Sequence, residues 1–287
     1  MVTFEASVAD RGWPNPYVGP RPIRLGEHIY GRDRELAEIQ DILVAERIML
    51  LYSPSGAGKS SLLEAGLRPE LAARDFRVLP TIRVGIVLGG DGADDVGANR
   101  YKVSALLSLE EGRTDGASPV GRLAGLSFDE YLREREREPG AEDRETCLFF
   151  DQFEELFTLD PTDLDAKHAF LEEVGIALRD RGRWALFSMR EDFIAHLDPY
   201  LGLVPRRLGA RYRLDLLNVS GARAAARRPA MELGVDFTES AADRLLDDLR
   251  RVRVQRGSVV TEELGPYVEP VQLQVVCRQL WESLGFA

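Results

Sequence analysis

The stretch Ser53-Pro54-Ser55-Gly56-Ala57-Gly58-Lys59-Ser60-Ser61 constrains this chain more than any other. An apolar run from Arg47 to Tyr52 precedes it and reads as a buried strand. Lys59 to Ala73 follows and reads as a helix with Leu62, Leu63, Gly66 and Leu67 turned inward. Glycines in such a loop let successive backbone N–H groups face one anion, and the helix start adds its free N–H groups and the positive end of its dipole. The pattern predicts phosphate binding by Ser55, Gly56, Ala57, Gly58, Lys59, Ser60 and Ser61. Lys59 supplies a point charge for the outer phosphates, and Ser60 a hydroxyl for Mg²⁺. Ser53 stands where the usual pattern has glycine, at the position least involved in phosphate contact. A glycine-rich turn before a helix is the plain structural alternative. At average residue usage G-x-G-K-S arises by chance in on the order of one chain in several hundred, before its strand–helix context is considered.

A Mg²⁺–nucleotide site also needs a carboxylate at a neighbouring strand tip. Cys147-Leu148-Phe149-Phe150-Asp151 provides one, four apolar residues and then Asp151, predicted to hold Mg²⁺ through water. Gln152-Phe153-Glu154-Glu155 follows. If the chain turns helical at once, Glu155 lies one turn beyond Asp151 on the same face. Either Glu154 or Glu155 can then orient or deprotonate the attacking water, with Glu155 favoured. Acids at the favourable end of a helix are the alternative reading. The next apolar run, Trp184 to Met189, ends at Arg190, which is placed either to report a terminal phosphate or to pair with Glu191 or Asp192.

The rest of the chain reads as strands alternating with helices, the signature of a parallel sheet. Further strands are expected at Arg77–Gly85 and Trp184–Met189, and helices at Asp33–Ala45, Ser127–Glu138 and Leu164–Arg181. From about Gly209 the pattern becomes helical, with helices expected at Val219–Leu233, Glu239–Val252 and Val271–Leu284. The expected division is an extended arm over residues 1–28, which hold four prolines, a nucleotide-binding domain over 29–208, and a helical lid over 209–287.

Composition excludes several classes. A chain of 287 residues with two cysteines is no disulfide scaffold and fits a reducing, cytoplasmic setting, and no apolar run approaches membrane-spanning length. The net charge of −11 disfavours sequence-independent nucleic-acid binding. Arg206 to Arg228 holds seven arginines and a single acid, Asp215, better explained by lid packing and phosphate contact than by nucleic acid. Asp91, Asp94 and Asp95 match no EF-hand spacing, and His28, His168 and His196 match no zinc pattern. Cys147 reads as core.

Four blocks together resemble a known family. They are Asn15-Pro16-Tyr17-Val18-Gly19-Pro20-Arg21-Pro22, Ile29-Tyr30-Gly31-Arg32-Asp33-Arg34-Glu35-Leu36, the glycine loop, and Phe149 through Phe157. The chain looks like a STAND NTPase of the first novel STAND subgroup, found in bacterial multidomain signalling and conflict-system proteins. The likeness extends to Arg190 and to Glu269-Pro270-Val271-Gln272-Leu273-Gln274. It implies an α/β P-loop NTPase fold of the ASCE type: a three-layer parallel sheet followed by a small helical lid domain. It implies Tyr30, Gly31 and Arg32 near the adenine, Pro270 of the lid against the base or ribose, and Arg190 as phosphate sensor. It implies ATP, ADP and Mg²⁺ as ligands, with ADP holding a closed monomer and ATP permitting homo-oligomerisation. Sensor and effector regions that normally accompany such domains are not visible, so the chain is expected to be a fragment or a truncated form. The competing readings are an AAA+-like nucleic-acid-associated ATPase and a P-loop small-molecule kinase. The signatures of ABC ATPases, GTPases and G-x-S-x-G hydrolases are missing from the sequence.

Overall fold

Ile48-Met49-Leu50-Leu51-Tyr52-Ser53 forms strand β1 because nearly every side chain in it is apolar, as a strand covered on both faces requires. In the computed structural model, which describes residues 13–86, 98–113, 120–141, 144–256 and 259–284, β1 joins β2 (Arg77–Val78), β3 (Thr146–Phe150), β4 (Arg183–Arg190) and β5 (Ala210–Arg213). The five make one sheet in the order β2-β3-β4-β1-β5, and every pairing in it is parallel. The strand that ends at Arg190 therefore lies between the loop-bearing strand and the one that ends before Asp151. The expected α/β parallel sheet is present. Asp91, Asp94 and Asp95 lie outside the described residues.

The chain divides into two compact units. The first holds Ala37–Ser53 and Leu67–Arg213, hence the whole sheet. Its helices are most of α1 (Asp33–Glu46), then α3 (Arg68–Ala73), α4 (Arg100–Leu109), α5 (Val120–Gly125), α6 (Phe128–Glu136), α7 (Glu155–Thr158) and α8 (Leu164–Ala177). Ile48 and Leu50 of β1 enter a core with Phe150, Phe187, Phe128 and Phe170. Phe150 stacks on Phe187 at 4.5 Å between ring centroids, and Phe128 meets Phe170 edge-on. Met49 and Leu51 point to the opposite face and are equally buried.

Three differences from the sequence reading have physical causes. The strand expected at Arg77–Gly85 pairs regularly only over Arg77–Val78. Leu79 still donates to the Cys147 carbonyl, but Pro80 has no N–H to continue the ladder, and pairing returns only as a bridge between Ile82 and Phe150. The sheet also runs past the boundary expected at 208, because Ala210–Arg213 pairs with Met49–Tyr52 of β1. Helix α4 was not expected. Asn99 caps it, accepting from the N–H groups of Tyr101 and Lys102.

The second unit holds the described parts of Met1–Leu36, Pro54–Gly66 and Leu214–Ala287. It contains α2 (Lys59–Ser61), which runs on as π-helix over Leu62–Leu67, and α9 (Val219–Glu232), α10 (Glu239–Leu249) and α11 (Pro270–Ser283). The described part of the arm, residues 13–28, packs into this unit. The Tyr17 hydroxyl donates to the Ala226 carbonyl at 2.5 Å, Val18 N–H donates to Gln274 at 3.1 Å, and the Tyr17 ring meets Trp281 edge-on. The lid is not purely helical. β6 (Leu217–Asn218) pairs with β9 (Tyr267–Val268), and β7 (Arg251–Arg256) forms a hairpin with β8 (Val259–Leu264). The helix expected through Val252 stops at Leu249 because Arg251-Val252-Arg253-Val254 alternates with the period of a strand. Among the described residues no helix is long and apolar enough to cross a membrane.

Candidate nucleotide site

The glycine loop leaves β1 through a left-handed turn. Gly56 has φ of +78° and Gly58 of +89°, conformations that glycine adopts without strain. The Gly58 carbonyl accepts from Leu62 N–H at 2.9 Å, which starts the helix directly at Lys59. Arg32 fixes the loop from the side. Its buried guanidinium donates to the Ala57 carbonyl at 3.0 Å and to the Asp215 carbonyl at 2.8 Å, and pairs with Glu35 at 2.9 Å. Arg32 therefore ties the loop and the first lid residues to the start of α1. Ser61 accepts from Ile23 N–H at 3.0 Å and draws the arm onto the start of the helix.

These pieces line one partly open pocket. Ile23 of the arm, Ile29, Tyr30 and Arg32 just after it, Ala57, Gly58 and Ser61 of the loop, and Leu217, Ala225, Pro270, Val271, Leu273 and Gln274 of the lid line it. An apolar chamber with a few polar groups at its edge suits a flat heterocycle. Burial, and then Glu232, push the Tyr30 phenol up to about 12, so it stays protonated at neutral pH.

Of the residues predicted from sequence, Tyr30, Arg32, Ala57, Gly58, Ser61 and Pro270 meet in this pocket. Gly31 packs instead against the backbone of α9, where a Cβ would stand 2.1 Å from the Gly221 carbonyl oxygen. Ser55, Gly56, Lys59 and Ser60 belong to the same loop without lining the chamber. Sequence reasoning missed Ile23, Leu217 and Ala225, and it quoted Ile29 and Leu273 within motif blocks without giving them a role. They are ordinary apolar residues, and no local signal separates them from core.

The acidic strand end belongs to the sheet unit. Asp151 follows β3 and is only 5% exposed. The Ser188 hydroxyl donates to its Oδ1 at 2.9 Å. A buried hard carboxylate at a strand tip is chemistry that suits Mg²⁺. The expected direct turn into helix does not occur. Gln152 has φ of +50° and α7 begins only at Glu155, so Glu155 is not one helical turn from Asp151. Glu154 accepts from Arg190 N–H at 3.2 Å, and Glu155 pairs with Arg83, which also donates to Gln152. Arg190 pairs with Asp192, and its guanidinium lies 5.4 Å from the Phe193 ring centroid.

Five of the seven arginines of Arg206–Arg228 pair with nearby acids. Arg206 pairs with Glu46, Arg213 with Glu191, Arg223 with Glu239 and Asp243, Arg227 with Asp236 and Glu239, and Arg228 with Asp33. Among the described residues no group of three or more His, Cys, Asp or Glu is placed to hold a metal.

A parallel sheet, a left-handed glycine loop opening a helix at a lysine, and an acid at a strand tip define a P-loop NTPase. Solved structures share the fold. A Walker-type ATPase of Pyrococcus abyssi superposes with a TM-score of 0.63 at 16% identity, over 93% of this chain and 71% of that one. The ORC2 protein of Aeropyrum pernix, solved as ADPNP–ADP complexes, superposes with a TM-score of 0.53 at 14% identity, over 91% of this chain and 66% of its own. This chain thus spans about two thirds of the length of the second. No curated protein matches it. The profile of the family described as Novel STAND NTPase 1 matches residues 16–282, nearly the whole length, and the chain belongs to that family.

Proposed function

We propose that this chain is an ATP-hydrolysing switch whose lid position follows the state of a bound adenine nucleotide. One observation carries the reading: arm, loop and lid residues of a single unit build one chamber beside the phosphate loop. A nucleotide with its base among Tyr30, Pro270 and Leu273 and its phosphates on Gly56–Ser60 touches all three at once. A change in the phosphate chain is then felt by the lid. Ser60 and Asp151 are the residues assigned to Mg²⁺, which supplies charge neutralisation for the phosphates when bound. Glu154 and Glu155 are assigned to the attacking water, and Arg190, released from Asp192, to sensing the terminal phosphate.

In this reading ADP holds a monomer and ATP permits self-assembly, as signalling and defence switches require. The ion-paired arginines of Arg206–Arg228 support it over a nucleic-acid motor. Light scattering behind size exclusion is the test, with Mg-ADP against a Mg-bound non-hydrolysable triphosphate. We expect a monomer with the first, a larger species with the second, and neither response in Lys59→Ala, which loses the charge facing the phosphates. Equal mass in both nucleotides, or no adenine-nucleotide binding in the unmodified protein, removes the switch.

A further inference from the structure

Glu269 immediately precedes α11 and occupies its N-cap position, yet its side chain makes no capping hydrogen bond. The carboxylate is turned onto the glycine loop instead. A Cβ placed on Gly56 would lie 2.4 Å from Glu269 Oε1 and 3.1 Å from its Cδ, so the carboxylate rests against the bare Cα of Gly56. The next residue, Pro270, lies over Gly58, with ring atoms 3.9 Å from where a Cβ would be. Among the described residues the Glu269 carboxylate has no hydrogen-bond or ion-pair partner. A carboxylate without a hydrogen-bond partner among the described residues thus sits on a loop whose geometry is that of an anion receptor.

Such a charge is poorly placed to help bind phosphates, because like charges at contact range repel in a partly buried setting. It is well placed to distinguish phosphate chains. A triphosphate brings one more negative charge to the loop than a diphosphate, and selectivity is commonly built from a repulsive element of this kind. We propose that Glu269 is a specificity-determining residue whose carboxylate, while the lid rests on Gly56, penalises a triphosphate relative to a diphosphate. The inference rests on the nucleotide-switch reading and gives it a physical cause. A diphosphate is accepted with Glu269 in place. A triphosphate is accommodated when Glu269, and with it the start of α11, leaves the loop.

Calorimetric titration of nucleotide-free protein with Mg-ADP and with a Mg-bound non-hydrolysable triphosphate tests this. Glu269→Gln keeps the shape and removes the charge. It is expected to tighten triphosphate binding about tenfold while shifting ADP affinity less than about threefold. Glu269→Asp withdraws the charge by one methylene and is expected to fall between. An unchanged ratio of the two affinities in Glu269→Gln overturns the proposal, and so does a fall in ATP turnover with that ratio intact, which would assign Glu269 to water activation. Unmodified protein that binds neither nucleotide removes the switch reading and this inference together. Normal binding of both with an unaltered ratio removes this inference alone.

Discussion

Gly31 has no side chain because the backbone of α9 fills the space one would need. Its φ of +77° already favours glycine, and a Cβ there would stand 2.1 Å from the Gly221 carbonyl oxygen and 2.9 Å from its Cα. Backbone cannot swing aside as a flexible side chain does. Gly31→Ala is expected to cost about 2–4 kcal/mol, the sum of left-handed strain and forced displacement. Gly26 is the internal control: its φ is +88° but nothing lies within 4 Å of its Cβ position. Gly26→Ala is expected to cost only the conformational part, about 1 kcal/mol. Urea unfolding of both variants decides it, and equal losses would mean that the close approach to α9 contributes nothing. At this scale the sequence was unevenly legible. Gly56, Gly58 and Asp151 declare themselves, since a phosphate loop and an acid after four apolar residues have few other uses. The turn at Gln152 was not legible: a glutamine with positive φ carries no glycine or asparagine signal, and missing it set Glu155 one helical turn from Asp151.

Elements were readable where one periodicity dominated. β1, β3 and β4 are apolar runs buried on both faces, and α1, α8, α9 and α11 carry clear helical spacing. Short pieces failed for lack of length. Ala210-Arg211-Tyr212-Arg213 holds two arginines and becomes a sheet strand only because β1 offers it an edge. Arg183 opens β4 as its one charged residue before Arg190, and its side chain is wholly buried. It donates to Asp129 of α6 at 2.6 Å, to Glu136 at 2.7 and 2.9 Å, and to the Ala177 carbonyl of α8 at 2.9 Å. One guanidinium thus joins a strand to two helices and satisfies the end of α8. Removing one partner of a buried pair strands the others. Arg183→Ala is therefore expected to destabilise the fold by about 3–5 kcal/mol. Chemical denaturation measures it, and a loss below about 1 kcal/mol would show that water replaces the guanidinium without cost.

At the scale of the whole chain, the phosphate loop groups with the arm and the lid, while the sheet from which it springs forms the other unit. Ligand energy should therefore enter through the first of these. Nucleotide at 100 times its Kd stabilises a binding-competent state by about 2.7 kcal/mol. Were the chain a single cooperative body, every slowly exchanging amide would gain protection by that amount. With two units, local opening of the loop–lid unit costs less than global unfolding, and the ligand raises that local cost first. Hydrogen exchange should show new protection at the amides of Leu273 and Cys277 in α11 and of Ala222 and Ala226 in α9, which are buried beside the chamber. Leu50, Phe149 and Phe187 in the sheet core should change little at the same nucleotide concentration. Equal protection of both sets would mean that the units open together. The lid would then have no independent motion for a nucleotide to control, and any switching would have to arise outside these residues.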